Sequence, residues 1–368
     1  MPYMTLARIV VFVFGLVAVY LTMMSTIRTF VLPRSTTDRL TRKVFLTTRW
    51  LFNLRTSLYA SYEGRDAIMA LYAPVSLLVL LLVWLCCVLA GYTAMFWAIG
   101  VGSWRVAFST SGSSLLTLGF APLVDLPTTL VAFSEAIIGL VLVALLIAYL
   151  PTMYSAFARR EAAVTLLEVR AGSPPSAVEM LGRFHRIQGF DRLLHVWTTW
   201  EAWFADISES HTSLAALAFF RSPQPRHSWV TASGAVLDAA ALYASTIDAP
   251  RDAQAELCVR AGYVALRSIA DLYNIHYPTN PKPEDPISIT RAEYDAAYDR
   301  LSTAGLPLKP NRDQCWRDFM GWRVNYDHVL LALARLTMAP PAPWSSDRMY
   351  VAVELSPAPH PIELPPSA

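Results

Sequence analysis

The sequence predicts an all-α membrane protein: three transmembrane helices with a re-entrant loop, followed by a helical cytosolic C-terminal domain. Three observations carry this. Hydrophobic residues make up 54% of the 368 residues and charged residues only 16%, against about a quarter in soluble domains. The apolar residues are concentrated in three runs of the N-terminal half. The C-terminal half instead alternates amphipathic stretches with proline-containing breaks.

The first run, Ile9 to Ile27, contains no charge. It matches the ~20 residues that cross a bilayer core and is longer than a signal-peptide core. No small-residue cleavage site follows; Arg28 and Arg34 do. Residues 1–33 are therefore read as the first transmembrane helix.

Residues 34–66 form a basic segment with Arg34, Arg39, Arg42, Lys43, Arg49, Arg55 and Arg65. Leu40, Val44, Phe45, Trp50, Leu51 and Leu54 interleave with them. This pattern reads as an amphipathic helix, either a connector on the leaflet or a seat for anionic lipid.

Residues 67–158 hold the other two spans. No Asp, Glu, Lys or Arg occurs from Ala67 to Trp104. One helix over 72–92 crosses, and Trp97 and Trp104 sit at the interface, where aromatic rings are favoured. The third span covers 127–158. Basic residues mark the cytoplasmic side. The 34–66 segment and Arg159–Arg160 then face the cytoplasm, while the 103–126 loop, with only Arg105 and Asp125, faces out. Arg8 and the α-amine on the outer side count mildly against this. The expected protein is a multi-pass plasma or inner-membrane protein, N-terminus outside and C-terminus cytosolic.

Residues 159–338 predict an all-α domain with helices over 175–188, 191–206, 211–220, 228–246, 250–274, 290–303 and 311–338. Asp248 caps the fifth of these, with Pro250 in its first turn. Residues 339–368 are proline-rich and predicted extended or disordered, with "RMYVAVEL" the one possible strand. Trp197, Trp200 and Trp203 have helical spacing and read as core or subunit contact. The four cysteines show no metal-ligand spacing. Net charge is +2, so no basic field points to nucleic acid. No nucleotide fingerprint or catalytic constellation stands out, so the chain does not read as an enzyme, and no resident cofactor or metal is expected.

Between the second and third spans lies "GSSLLTLGFAP", Gly112 to Pro122. Residues 104–114 predict a helix of about 16 Å, half of the ~30 Å core. Irregular backbone beyond a half-crossing helix is tolerated in a membrane only against protein or water. The stretch "WRVAFSTSGSSLLTLGFAPLVDLPTTLVAFSEAIIGLVLVALL" resembles the pore region of the tetrameric potassium-channel family. There a pore helix leads to a T-x-G-Y/F-G filter and an inner helix follows. The matching positions are Thr117, Leu118, Gly119, Phe120 and Ala121, with pore helix and filter over 104–122 and inner helix over 127–158. The resemblance does not extend to the C-terminal half.

What it implies is a homotetrameric, passive cation channel. Carbonyl rings at 117–120 would replace water around permeant potassium, and the Thr117 hydroxyl would add the innermost ring. Phe120 would pack outward and brace the loop. Gly139 is the hinge candidate, or else a packing glycine. Trp104, Arg105 and Glu135 are the filter-support candidates. Glu135 either pairs with Arg105 or is simply exposed at the interface. Where the family has its second filter glycine this chain has Ala121, and Pro122 replaces the usual acidic residue. A left-handed alanine costs roughly 1–2 kcal/mol, so a non-selective cation pore is the first alternative. A membrane-anchored signalling or scaffold protein is the second. No span carries the arginine ladder of a voltage sensor, so an unidentified ligand or protein acting on the cytosolic domain is the expected gating partner.

Overall fold

The computed structural model describes residues 2–32, 38–59, 61–123 and 125–348. Among them the protein is helical throughout, with one isolated antiparallel bridge between Ile247 and Leu308. Contacts divide the chain into two units. One comprises residues 1–157 with 212–220, the other residues 158–211 with 221–368.

The first unit begins with α1 (Pro2–Phe30), α2 (Arg39–Thr56), α3 (Tyr62–Ala70) and α4 (Tyr72–Ile99). It continues with α5 (Trp104–Leu115) and α6 (Leu126–Ala171), whose last turns belong to the second unit. Three helical stretches are long and apolar enough to cross a membrane: Leu6–Phe30, Tyr62–Ile99 and Leu126–Ala171. The second runs past its expected end at residue 92. Residues 93–99 carry no charge, and the helix stops only at Gly100, whose φ of 98° suits a glycine C-cap.

Helices α1 and α4 meet through glycines. A Cβ on Gly15 would strike the Gly91 carbonyl, so the two backbones lie in direct contact, the close approach that small residues permit between apolar helices. A polar tie secures the pair. Trp84 Nε1 donates to Ser25 Oγ (3.1 Å), and Ser25 Oγ donates to Asp38 (2.6 Å). Asp38 in turn caps α2 by accepting the Thr41 amide. Helix α2 buries Val44 and Thr48, and its Phe45 carbonyl accepts from the Tyr72 hydroxyl (3.2 Å). Beside it, residues 215–219 form a 3-10 helix. Phe219 packs edge-on against Tyr72, and Arg49 lies over the Phe219 ring. The expected α-helix over 211–220 is therefore corrected, and this segment groups with the apolar helices rather than with the C-terminal unit.

The second unit contains α7 (Ala177–Arg186), α8 (Leu193–Ser213), α9 (Trp229–Thr246), α10 (Ala253–Leu272), α11 (Arg291–Thr303), α12 (Arg312–Arg323) and α13 (Asp327–Thr337). Helix α9 is apolar on nearly every side and buried along almost its whole length. Such a helix belongs at a core's centre, and α7, α10, α12 and α13 pack around it. Trp197, Trp200 and Trp203 are buried core residues. The cap of α10 is Asp252, which accepts the Gln254 amide, not Asp248.

The expected helix over 311–338 is broken between α12 and α13. Arg323, fully buried, lies at the break. It donates to Asp238, to Asp327 (2.7 Å) and to the Trp344 carbonyl (2.6 Å). Tyr326 donates to Asp238 (2.8 Å), and Ser288 donates to Asp327 through both its amide and its hydroxyl. Burial alone would raise the Asp327 carboxyl, but the Arg323 charge and the Ser288 bonds hold it below the usual carboxylate range. The same network corrects the expected tail. Ala339, Ala342, Ser345 and Ser346 are buried in this unit. Of the segment "RMYVAVEL", expected as a possible strand, only Arg348 is described; residues 349–368 lie outside the described residues.

His211 is buried with Nε2 3.3 Å from Arg160 Nη1 and Nδ1 3.2 Å from Ser210 Oγ. A guanidinium only donates, so Nε2 accepts and the ring is neutral. Burial, then the Arg160 charge, push its pKa well below the ordinary value. The unfolded chain takes up this proton near pH 6.5 and the folded chain does not. Stability is therefore expected to fall as pH drops below about 6.5, by up to about 1.4 kcal/mol per pH unit. Thermal unfolding of the protein and of His211→Gln between pH 7.5 and 5 checks this. The wild-type midpoint falls more steeply than that of the variant.

Candidate functional site: the helix–loop–helix between the second and third spans

Helix α5 starts where Ser103 accepts the Val106 amide and ends where the Leu116 amide reaches back to Gly112. Trp104 is exposed and stacks on Trp97, with ring centroids 4.8 Å apart. One face of α5 is buried and carries hydroxyls: Thr110, Ser111 and Ser113 beside Ala107 and Leu115. Helix α4 packs against it. Helix α6 begins after Asp125, which accepts the Thr128 amide (2.8 Å). That bond holds the Asp125 carboxyl below its ordinary value.

The expected partner of Glu135 is corrected. Glu135 is fully buried, so it is not an exposed interfacial group, and it meets Ser111, not Arg105. Ser111 Oγ lies 2.5 Å from Glu135 Oε1 and 3.1 Å from the Leu89 carbonyl. One hydroxyl thus joins α5 to both α4 and α6. Glu135 Oε2 has no hydrogen-bond partner among the described residues. Arg105 is exposed, and no ion pair to it occurs among the described residues. A second tie links α4 to α6, from Tyr92 Oη to Ser134 Oγ (2.9 Å).

Gly139 lies at a close approach. A Cβ there would stand 2.6 Å from the Leu115 carbonyl oxygen and 3.0 Å from Leu115 Cδ1. Helix α6 therefore rests directly on the end of α5 and runs through Gly139 without interruption. Pro151, further along α6, removes the donor to the carbonyl of Ile147 and is the usual kind of residue at which a helix bends. Sequence reasoning did not single it out, although a proline within a predicted span is a visible signal.

The loop after α5 is organised by Ser113, also missed from sequence. Its carbonyl accepts the amides of Leu118 (2.8 Å) and Gly119 (3.3 Å), and its hydroxyl accepts the amide of Ala121 (3.1 Å). The Thr117 amide goes to the Ser114 carbonyl. Amides at 117, 118, 119 and 121 are thus drawn back onto the end of α5. Among the described residues, the carbonyls of Thr117, Leu118, Gly119 and Phe120 accept no hydrogen bond.

Two loop residues have left-handed backbone, Thr117 (φ 56°) and Gly119 (φ 71°). Ala121 is not left-handed, so the strain expected of it is absent and falls on a β-branched threonine. The Thr117 hydroxyl donates to the preceding Leu116 carbonyl (2.8 Å). Leu118 and Phe120 are exposed in the single chain. Among the described residues, no cluster of three or more metal-ligating side chains occurs. What this site offers chemically is four successive carbonyls, at 117 to 120, that accept no hydrogen bond among the described residues.

Comparison with family models, curated proteins and solved structures gives no match.

Proposed function

We propose that the protein is a passive, potassium-channel-like cation channel, formed by four copies that each contribute the loop from Thr117 to Ala121. The observation that carries this reading is the asymmetry of that loop's hydrogen bonding. Its amides at 117, 118, 119 and 121 are engaged by α5, while four successive carbonyls, at 117 to 120, accept no bond among the described residues. An unpaired carbonyl costs several kcal/mol against hydrocarbon, whereas a partly dehydrated cation is stabilised by rings of such oxygens. One loop cannot ring an ion, so the reading requires a closed symmetric assembly. The same assembly would cover Leu118 and Phe120.

Positions 117 and 119 support alternating backbone handedness, which turns neighbouring carbonyls in a common direction. Ala121 does not continue the alternation. That difference favours a second reading in which the outermost oxygen ring is altered and sodium permeates as well. In the topology read from sequence, the second unit is cytosolic. Helix α6 runs unbroken from the candidate span into it, which supports gating through that unit. A ligand or partner there would gate only by binding the open and closed forms unequally.

The test is potassium flux from liposomes holding the purified protein, beside Gly119→Asp, with sodium in parallel. No atom lies within 4 Å of a Cβ built on Gly119, and aspartate tolerates left-handed backbone better than most residues. The variant is therefore expected to fold. Wild-type flux that the variant lacks is the predicted result. Equal sodium and potassium flux selects the non-selective reading. Flux unchanged by Gly119→Asp rejects the site.

A further inference from the structure

Helix α2 carries a surface that the channel reading does not use. Over Arg39–Thr56 it has five basic residues and no acidic one. Its Val44 and Thr48 face is buried, and the Phe45 carbonyl is tied to Tyr72 at the first turn of α4. The opposite side is open. Leu46, Trp50 and Leu54 recur at i, i+4 and i+8 and are 54%, 60% and 52% exposed. Along the same side, one to two turns earlier, stand Arg39, Arg42 and Lys43, all exposed. No acidic residue of α2 neutralises them.

This is a segregated surface: cations in the first turns, then a leucine–tryptophan–leucine stripe. A water-facing helix has no need of the stripe, and a wholly lipid-buried helix would not carry the cations. Helix α2 is also fixed beside Tyr72, the first residue of α4, near the N-terminal end of the candidate span Tyr62–Ile99. A helix held there with this composition matches the boundary between headgroups and acyl chains.

We propose that α2 is a docking surface for anionic phospholipid. Leu46, Trp50 and Leu54 enter the acyl boundary, while Arg39, Arg42 and Lys43 bind the headgroup phosphates. The charge complementarity selects this occupant over a second copy of the chain, since two such surfaces facing each other would bring like charges together. It also selects it over neutral lipid, which would leave the three cations without counter-charge. The proposal stands whether or not the protein conducts ions.

The experiment places the full-length protein in nanodiscs containing brominated phosphatidylglycerol or, at equal mole fraction, brominated phosphatidylcholine. The Trp50 signal is taken as the difference between the protein and Trp50→Phe. The expected result is stronger quenching by the brominated anionic lipid. The difference between the lipids should shrink in high salt and disappear in Arg39→Gln/Arg42→Gln/Lys43→Gln. The salt series in the unaltered chain keeps the test valid if the triple variant does not fold. Equal quenching by both lipids overturns the anionic preference. Absence of quenching by either lipid overturns lipid docking and assigns the face to a protein contact.

Discussion

Gly139→Val is expected to abolish cation flux while the chain still inserts in the membrane. The added Cβ would stand 2.6 Å from the Leu115 carbonyl oxygen, so one backbone must move. Overpacking of this kind costs about 1–3 kcal/mol. Helix α6 is long and continuous, so the end of α5 is the part that gives way. Leu115 is two residues from Ser113, and Ser113 holds the amides of 118, 119 and 121. Displacing that end therefore displaces the row of carbonyls. The measurement is potassium flux beside the thermal midpoint of the detergent-purified variant. The account predicts both a lower midpoint and lost flux. A hinge role alone would alter opening and leave the midpoint unchanged, so the midpoint separates the two roles; Gly139→Ala, which carries the same Cβ, is expected to lower it as well.

Arg323→Met is expected to destabilise the second unit by about 3–5 kcal/mol, the usual cost of removing one member of a buried charge network. Methionine fills much of the same space, so packing loss is the smaller part. What remains is two buried carboxylates, Asp238 and Asp327, without their shared cation. The Trp344 carbonyl loses its donor as well. Ser288 and Tyr326 still donate to the carboxylates, which keeps the loss from being larger. Urea unfolding of the second-unit signal, compared with Arg323→Met/Asp238→Leu, checks this. The double variant recovers part of the lost stability, because it removes a buried charge along with its missing partner. A single variant as stable as wild type would mean that the network contributes nothing.

The helices most legible in the sequence were those marked by local chemistry. The helix expected over 104–114 matches α5, whose start the structure shows capped by Ser103. The capping box at Thr290 and Glu293 fixes the start of α11 within a residue of expectation. Apolar length alone located the three candidate spans, but not where they stop. An ordinary span length ends the second at 92, whereas the helix stops at Gly100.

What the sequence hid were choices made by tertiary partners. Nothing local breaks the chain between Val324 and Tyr326. The break lets Arg323 and Tyr326 reach Asp238, 85 or more residues earlier. The same network orders residues 339–348, whose prolines suggested an extended tail. At the site, periodicity could say that Ser111, Ser113 and Glu135 lie on particular faces. It could not say that Ser111, rather than Arg105, would meet Glu135, because opposite charge was the only pairing rule in view. The hydroxyl-rich face of α5 was the available signal.

Under the proposed function, the loop from Thr117 to Ala121 works only when four chains bring it together. Counting subunits in lipid, by native mass or by stepwise photobleaching of singly labelled chains in nanodiscs, tests it most directly. The account predicts four copies per particle in the wild type. Particles of one or two copies could not ring an ion with the carbonyls of 117 to 120 and would contradict the channel reading.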